Sequence, residues 1–292
     1  MKQKDKENLY RLFRHHGNVM GTARATLMSL NAFIEALKAL RCDRCDFVGL
    51  YQELADAIKN TEPKIIPLIH LLEAFEEEMA EYVDDDLETV RTRAIQILNA
   101  KSALFKSKAE RVTQHGLIHV DDGDVIIVHM ASSVVSNILL QARQIINRKF
   151  RVIAMQLDLV RTRQLTNALS AAGIEHMVAP AYNLSHYIEE ANKIFIGAVT
   201  VTADRKIVVP VGTANALSLC RTQGVQSYLF ANTLHYSHGI SSSQQIHREE
   251  TDMVQDRFSY KVTTHSHDLV DLDMIDVLID EDGVVETENH KG

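Results

Sequence analysis

The chain has 292 residues, enough for one large domain or two of about 150 residues each. Its 46% hydrophobic and 24% charged residues exclude a disordered, collagen-like or disulfide-scaffold protein. A net charge of −8 argues against a dedicated nucleic-acid or membrane-surface binder. No apolar run approaches the roughly 18 residues of a membrane span, and the polar opening MKQKDKENLY lacks the apolar segment of a secretory signal. Three cysteines cannot form a fully paired framework. The expectation is a reduced, cytoplasmic protein without membrane contact.

Residues 1–115 read as helical, helped by a chain with only 4 prolines and 12 glycines. Val19, Met20, Ala23, Leu27, Leu30, Ile34 and Leu37 recur at three- and four-residue steps, which is one helix face. Pro63 is placed to open the next helix, with Ile65, Ile66, Ile69, Leu72, Phe75 and Met79 on its apolar side. Asp84, Asp85 and Asp86 suit a third helix start, where carboxylates meet the positive end of the dipole. Val90, Ala94, Ile97, Leu98 and Leu104 follow at helical spacing.

The pattern changes at His115-Gly116, and residues 116–292 read as a second, Rossmann-like domain. Short apolar runs begin at Val125, Arg151, Glu175, Lys193, Lys206, Ser227 and Met274. Between most of them lie stretches of helical length: Ser133–Asn147, Arg161–Ala172, Leu184–Ala191 and Ala214–Gln223. Strands alternating with helices predict βαβ units and an α/β fold with a doubly wound, mostly parallel sheet. Ligands of such sheets sit beyond the carboxyl ends of the strands. The segments to watch are therefore His129–Ser133, Leu157-Asp158, Ala179–Ala181, Gly197–Val199 and Asn232-Thr233.

Among these, Ser132 and Ser133 open a helix directly after a strand, an arrangement that serves equally as a helix cap or as an anion site. Arg161 and Arg163 lie at the next helix start, where guanidinium groups either grip a phosphate or stay solvated. Cys42 and Cys45 form a lone C-x-x-C, half of a zinc set, between helices. The 14 histidines include the His15-His16 and His265-Ser-His267 pairs but no metal-ligand spacing. No metal or cofactor site is expected. Neither G-x-G-x-x-G nor G-x-x-x-x-G-K-[ST] is present, nor a G-x-S-x-G elbow.

The run DVIIVHMASSVVSNIL resembles the D-x-I-x-T-H-x-x-S-x-x-V segment of the translation initiation factor 2B alpha/beta/delta family, which also holds the methylthioribose-1-phosphate and ribose-1,5-bisphosphate isomerases. Ala172-Gly173-Ile174, Asn192–Ala198, Val211-Gly212-Thr213 with Leu217, and Tyr228–Asn232 are similar to later family motifs in the same order. The tail HDLVDLDMIDVLIDEDGVV continues the likeness, and HHGNVMGTARATLMSL echoes the family's N-terminal helix start at Gly17, Asn18 and Gly21. The resemblance spans roughly residues 17–285.

The resemblance implies a ligand pocket formed by His129, Ser132, Ser133, Arg161, Arg163, Gly197, Gly212 and Thr213. It also implies departures. The isomerases carry a cysteine after the motif histidine, where this chain has Met130, and an aspartate after the G-A pair, where it has Val199. A thioether and an isopropyl group exchange no protons. The family's E-S-R-P segment is here Met155–Asp158, and its N-K pair is Val209-Pro210. No catalytic residue is expected. The first expectation is a degenerate regulatory subunit, assembling as a homodimer through its C-terminal domain or with related subunits and sensing a phosphorylated small molecule. The rivals are a sugar-phosphate isomerase with substituted groups, His129 with Asp204 or Asp158, and an unrelated small-ligand sensor. No direct nucleic-acid contact is expected.

Overall fold

The computed structural model describes residues 21–60, 64–130, 132–244, 246, 248–255 and 258–286. Four helices come first: α1 (Thr22–Ala39), α2 (Arg44–Lys59), α3 (Ile66–Met79) and α4 (Leu87–Leu117). The helical spacing read from the sequence buries Leu30, Ile34 and Leu37 of α1 and Leu72, Phe75 and Met79 of α3. Pro63 and the stretch before Gly21, including Gly17 and Asn18, lie outside the described residues. It is Pro67, in the first turn of α3, that occupies the helix-opening position. Asp86 caps α4 by accepting from the Glu88 and Thr89 amides at 3.0 and 3.2 Å. One expected core position differs: Leu104 is exposed, and Phe105 turns inward instead. The 31-residue α4 feeds Val90 to Phe105 into the helical core and Val112 and Leu117 into the sheet's core.

The sheet follows as β1 (Val125–Val128), α5 (Ser133–Gln144), β2 (Arg151–Gln156), α6 (Leu159–Ala171), β3 (Glu175–Pro180), β4 (Lys193–Gly197), β5 (Thr200–Val201), β6 (Lys206–Pro210), α7 (Thr213–Thr222), β7 (Gln226–Phe230), β8 (Arg248–Gln255), β9 (Phe258–His265), β10 (His267–Asp271), β11 (Val277–Asp280) and β12 (Gly283–Val285). The order β12-β11-β7-β4-β1-β2-β3 is parallel except for β12. The winding reverses between β1 and β4, so a crevice opens where their carboxyl ends diverge.

Two expectations are corrected. Leu184–Ala191 forms short 3-10 turns rather than an α-helix. Leu184 and Ile188, four apart, both reach the core, and two successive turns satisfy that spacing as well as a helix would. The Lys206 run does not join the parallel sheet. β6 pairs antiparallel with β5 and β10 in a separate three-stranded sheet. Four residues separate β5 from β6, and so short a link returns the chain antiparallel; parallel pairing needs a long crossover.

Candidate functional site

A cavity of about 170 Å³ occupies the crevice. Met130, Ser132, Ser133 and Val134 enter it after β1, Gly197, Ala198 and Val199 after β4, and Ala231 and Asn232 after β7. The helical layer closes the other side with Gly21, Thr22 and Ala23 of the α1 start and Phe105 and Ala109 of α4.

Backbone economy fixes much of this wall. Ser132 caps α5, its hydroxyl accepting from the Val135 amide at 3.1 Å. A Cβ on Gly197 would stand 2.5 Å from that hydroxyl oxygen, so glycine is required for β4 to pass the cap. Gly21 adopts φ +80 and lies against the Arg161 guanidinium, whose central carbon is 3.8 Å from where a Cβ would stand. Arg161 also donates to the Met130 sulfur at 2.9 Å. Asp158, before α6, accepts from the Arg161 amide at 2.7 Å and so caps that helix.

His129 is buried behind the cavity wall. Thr213 Oγ1 gives its proton to the Pro210 carbonyl at 2.5 Å, leaving its lone pairs to accept from His129 Nδ1 at 3.2 Å. The Cε1 and Nε2 edge of the ring faces Gly212, which takes φ +87. Burial lowers the His129 pKa to about 4, despite Asp268 nearby. Asp268 itself accepts from the Ala214 amide at 2.9 Å. The α7 N-terminus therefore already holds a carboxylate, whereas the first turn of α5, at Ser133 and Val134, borders the cavity. Two further histidines line the space. His235 is buried, with its Nδ1 donating to Asn232 Oδ1 at 2.8 Å. His267 sits by Arg161. Burial pushes both down to about 4, aided at His267 by the Arg161 charge.

The structure thus brings Gly21, Ser132, Ser133, Arg161 and Gly197 together on one cavity, with Met130 and Val199 on its wall. His129, Gly212 and Thr213 form a tier behind it. Arg163 is exposed on α6 and does not line it. Asp204 accepts from Ser241 and is likewise not on the wall. Sequence reasoning did not assign Asn232, His235, Ser266 or His267 to the site. Asn232 carried a positional signal, following a strand, and His267 belonged to a noted histidine pair. Nothing local marked His235. Among the described lining residues there are one guanidinium, two imidazoles held neutral at pH 7, hydroxyls and an amide, but no carboxylate and no thiol. A third neutral imidazole, His129, stands in the tier behind them. Such a set offers one fixed positive charge and many donors, which suits an anion.

The profile of the Initiation factor 2 subunit family matches residues 16–287. The chain belongs to that family. Among its relatives, a ribose 1,5-bisphosphate isomerase of Archaeoglobus fulgidus is 23% identical over 241 residues, covering 80% of this chain and 75% of its own. The translation initiation factor eIF-2B of Pyrococcus horikoshii OT3 superposes with a TM-score of 0.78 at 20% identity, covering 98% of both chains. A subunit of the tetrameric eIF2B-beta2-delta2 complex of C. thermophilum superposes at 0.70 and 15% identity, covering 99% of this chain and 92% of that one. The family thus includes both initiation-factor subunits and sugar-phosphate isomerases, and some of its initiation-factor members are parts of oligomeric complexes. Among the described residues no helix is long and apolar enough to cross a membrane.

Proposed function

We propose that this member of the Initiation factor 2 subunit family is a catalytically silent regulatory subunit of the cytoplasm. In this reading its carboxyl-edge cavity holds a phosphorylated small molecule, and its C-terminal region joins it to a second copy or a related subunit. One observation carries the reading: no carboxylate or thiol lines the cavity, among the described residues. Aldose–ketose isomerisation moves hydrogen between adjacent carbons and needs groups that exchange protons with the hydroxyls. Each such group is worth about 10²–10⁴-fold. Met130 and Val199 occupy the places where the isomerases of the family carry theirs, and neither exchanges a proton. Arg161, the Ser132 and Ser133 hydroxyls and the α5 amides are the groups that would hold the phosphate.

The test is incubation with ribose-1,5-bisphosphate and with methylthioribose-1-phosphate, following ketose product and, separately, heat of binding. Binding without turnover is the expected result. The isomerase alternative draws on the imidazoles around the cavity. Turnover near one per second that survives Met130→Ala and dies with His129→Ala would establish that alternative and remove the regulatory reading.

A further inference from the structure

Charge matching is incomplete at the carboxyl-edge cavity. Among the described lining residues the Arg161 guanidinium is its one fixed cation, whereas a phosphate monoester carries about 1.5–2 negative charges at neutral pH. A second positive charge can come from an imidazole that takes up a proton. The three candidates differ in their surroundings. His129 is 3% exposed and stands behind the wall, on the Thr213 hydroxyl. His235 is 7% exposed, sets its ring 6.4 Å from that of Phe105 and commits Nδ1 to Asn232 Oδ1 at 2.8 Å. A charge on either would be shut away from water, which is costly. His267 is half-buried on the cavity's rim.

The local structure suits His267 to that part. β10 pairs antiparallel with β6 and sets His267 opposite Pro210, so that both reach the cavity. His267 Nδ1 lies 2.9 Å from the Ser266 hydroxyl oxygen. A hydroxyl both donates and accepts. It therefore serves a neutral ring and a protonated one alike, and Nε2 is the nitrogen left to meet a ligand. The charges around the ring are few among the described residues. Arg161 of α6 opposes its protonation, and Asp268, next along β10, favours it. The Asp268 carboxylate is already turned to the Ala214 amide. Asp158 stands beyond Arg161 as the α6 cap, and His265 at the end of β9 is exposed. α1 and α4 face the cavity with Gly21, Thr22, Ala23, Phe105 and Ala109, none of them charged. Burial, chiefly, and then the Arg161 charge lower the His267 pKa to about 4. A dianion beside both side chains offsets the Arg161 charge and reverses the balance.

We infer that His267 is a ligand-binding residue of the cavity: it takes up a proton as a dianion enters and closes on that dianion together with Arg161. The inference rests on the phosphate-holding reading above and adds to it the residue and the proton. Inorganic sulfate is the probe, because it keeps both charges at every pH used and leaves any pH dependence to the protein. Calorimetry of the full chain in two buffers of different ionisation heat, at constant ionic strength, counts the protons taken up. If sulfate restores the His267 pKa from about 4 to its ordinary 6.5, the complex binds more protons between those values, and affinity rises as the pH falls. The expected result is uptake of about three quarters of a proton per sulfate at pH 6 and about eightfold tighter binding at pH 5.5 than at pH 7. His267→Gln is expected to take up less than about a quarter of a proton and to lose the pH dependence. A parent that binds sulfate without that dependence, or a His267→Gln that keeps it, overturns the role of His267 and leaves the reading of the cavity standing. Sulfate binding that is absent in the parent, or undiminished in Arg161→Leu, overturns both. Should His267→Gln unfold, the ring's own titration decides, followed by NMR in the parent. A midpoint raised by about one pH unit or more with sulfate supports the inference, and an unmoved midpoint ends it.

Discussion

The two ends of β1 and β4 are built from the same strands and are both polar, yet they differ in kind. At the amino ends, Lys193 is buried and its ammonium reaches Asp124 at 2.7 Å, Asp121 at 3.0 Å and the His119 carbonyl at 2.9 Å. Asn192 bridges the Asp124 carboxylate and the Val125 amide at 2.6 and 2.8 Å. Burial pulls the Lys193 pKa down, but the carboxylates outweigh it and hold it above its ordinary value. Every charge there is answered from within the chain. At the carboxyl ends Arg161 and two neutral imidazoles line a cavity. A network closed at the amino ends fixes the strands, and donors that border a cavity can take a ligand.

That contrast is tested first by Lys193→Met. Removing the ammonium leaves Asp124 buried without its cation, and breaking a buried pair costs about 3–5 kcal/mol. Urea unfolding is expected to show a loss of that size, and a loss under 1 kcal/mol would mean that the amino edge is as open as the cavity. Acidification attacks the other end. His129 and His235 hold pKa values of about 4 in the fold against 6.5 as the ordinary value. Between those values the unfolded chain binds more protons, so the stability present above pH 6.5 falls as the pH drops toward 4. Each group contributes about 1.4 kcal/mol per pH unit in that window. Unfolding midpoints measured from pH 7 to 5 check the slope, and Thr213→Val, which removes the His129 partner, is expected to change it.

Gly197→Ala is expected to cost about 1–3 kcal/mol, because the new methyl collides with the Ser132 cap. A thermal melt reads this, and calorimetry is expected to show weaker anion binding in the same variant. The smallest effect on stability and the sharpest on binding belongs to Arg161→Leu. Charge-assisted hydrogen bonds are worth about 1.5–3 kcal/mol, so ribose-1,5-bisphosphate binding is expected to weaken by a factor of ten or more. Unchanged affinity would remove Arg161 from the ligand reading.

Much of the frame was legible because it depends on short-range pattern. VIIV and RVIAMQ coincide with β1 and β2 residue for residue, since a strand buried on both faces reads as a continuous apolar run. The antiparallel pair β8–β9 escaped notice for the converse reason: REETDMVQ has no such run, as charged residues interrupt it. The N-cap roles of Ser132 and Asp86 were local and therefore visible. The occupation of the α7 start by Asp268 joins residues 54 apart in the chain, and no local pattern encodes it.

The sequence by itself determined the periods, the buried strands β1 and β2, the switch from helices to a mostly parallel sheet and the family likeness, because each is written in residues close together along the chain. Only the tertiary structure decided which side chains share the cavity. It drew His235 and His267 to the wall, left Arg163 in solvent, and linked Lys108 of α4 to the buried Glu281 beyond β11. Those outcomes depend on how helices and strands pack, and burial sets the protonation of a histidine only once the surrounding groups have excluded water.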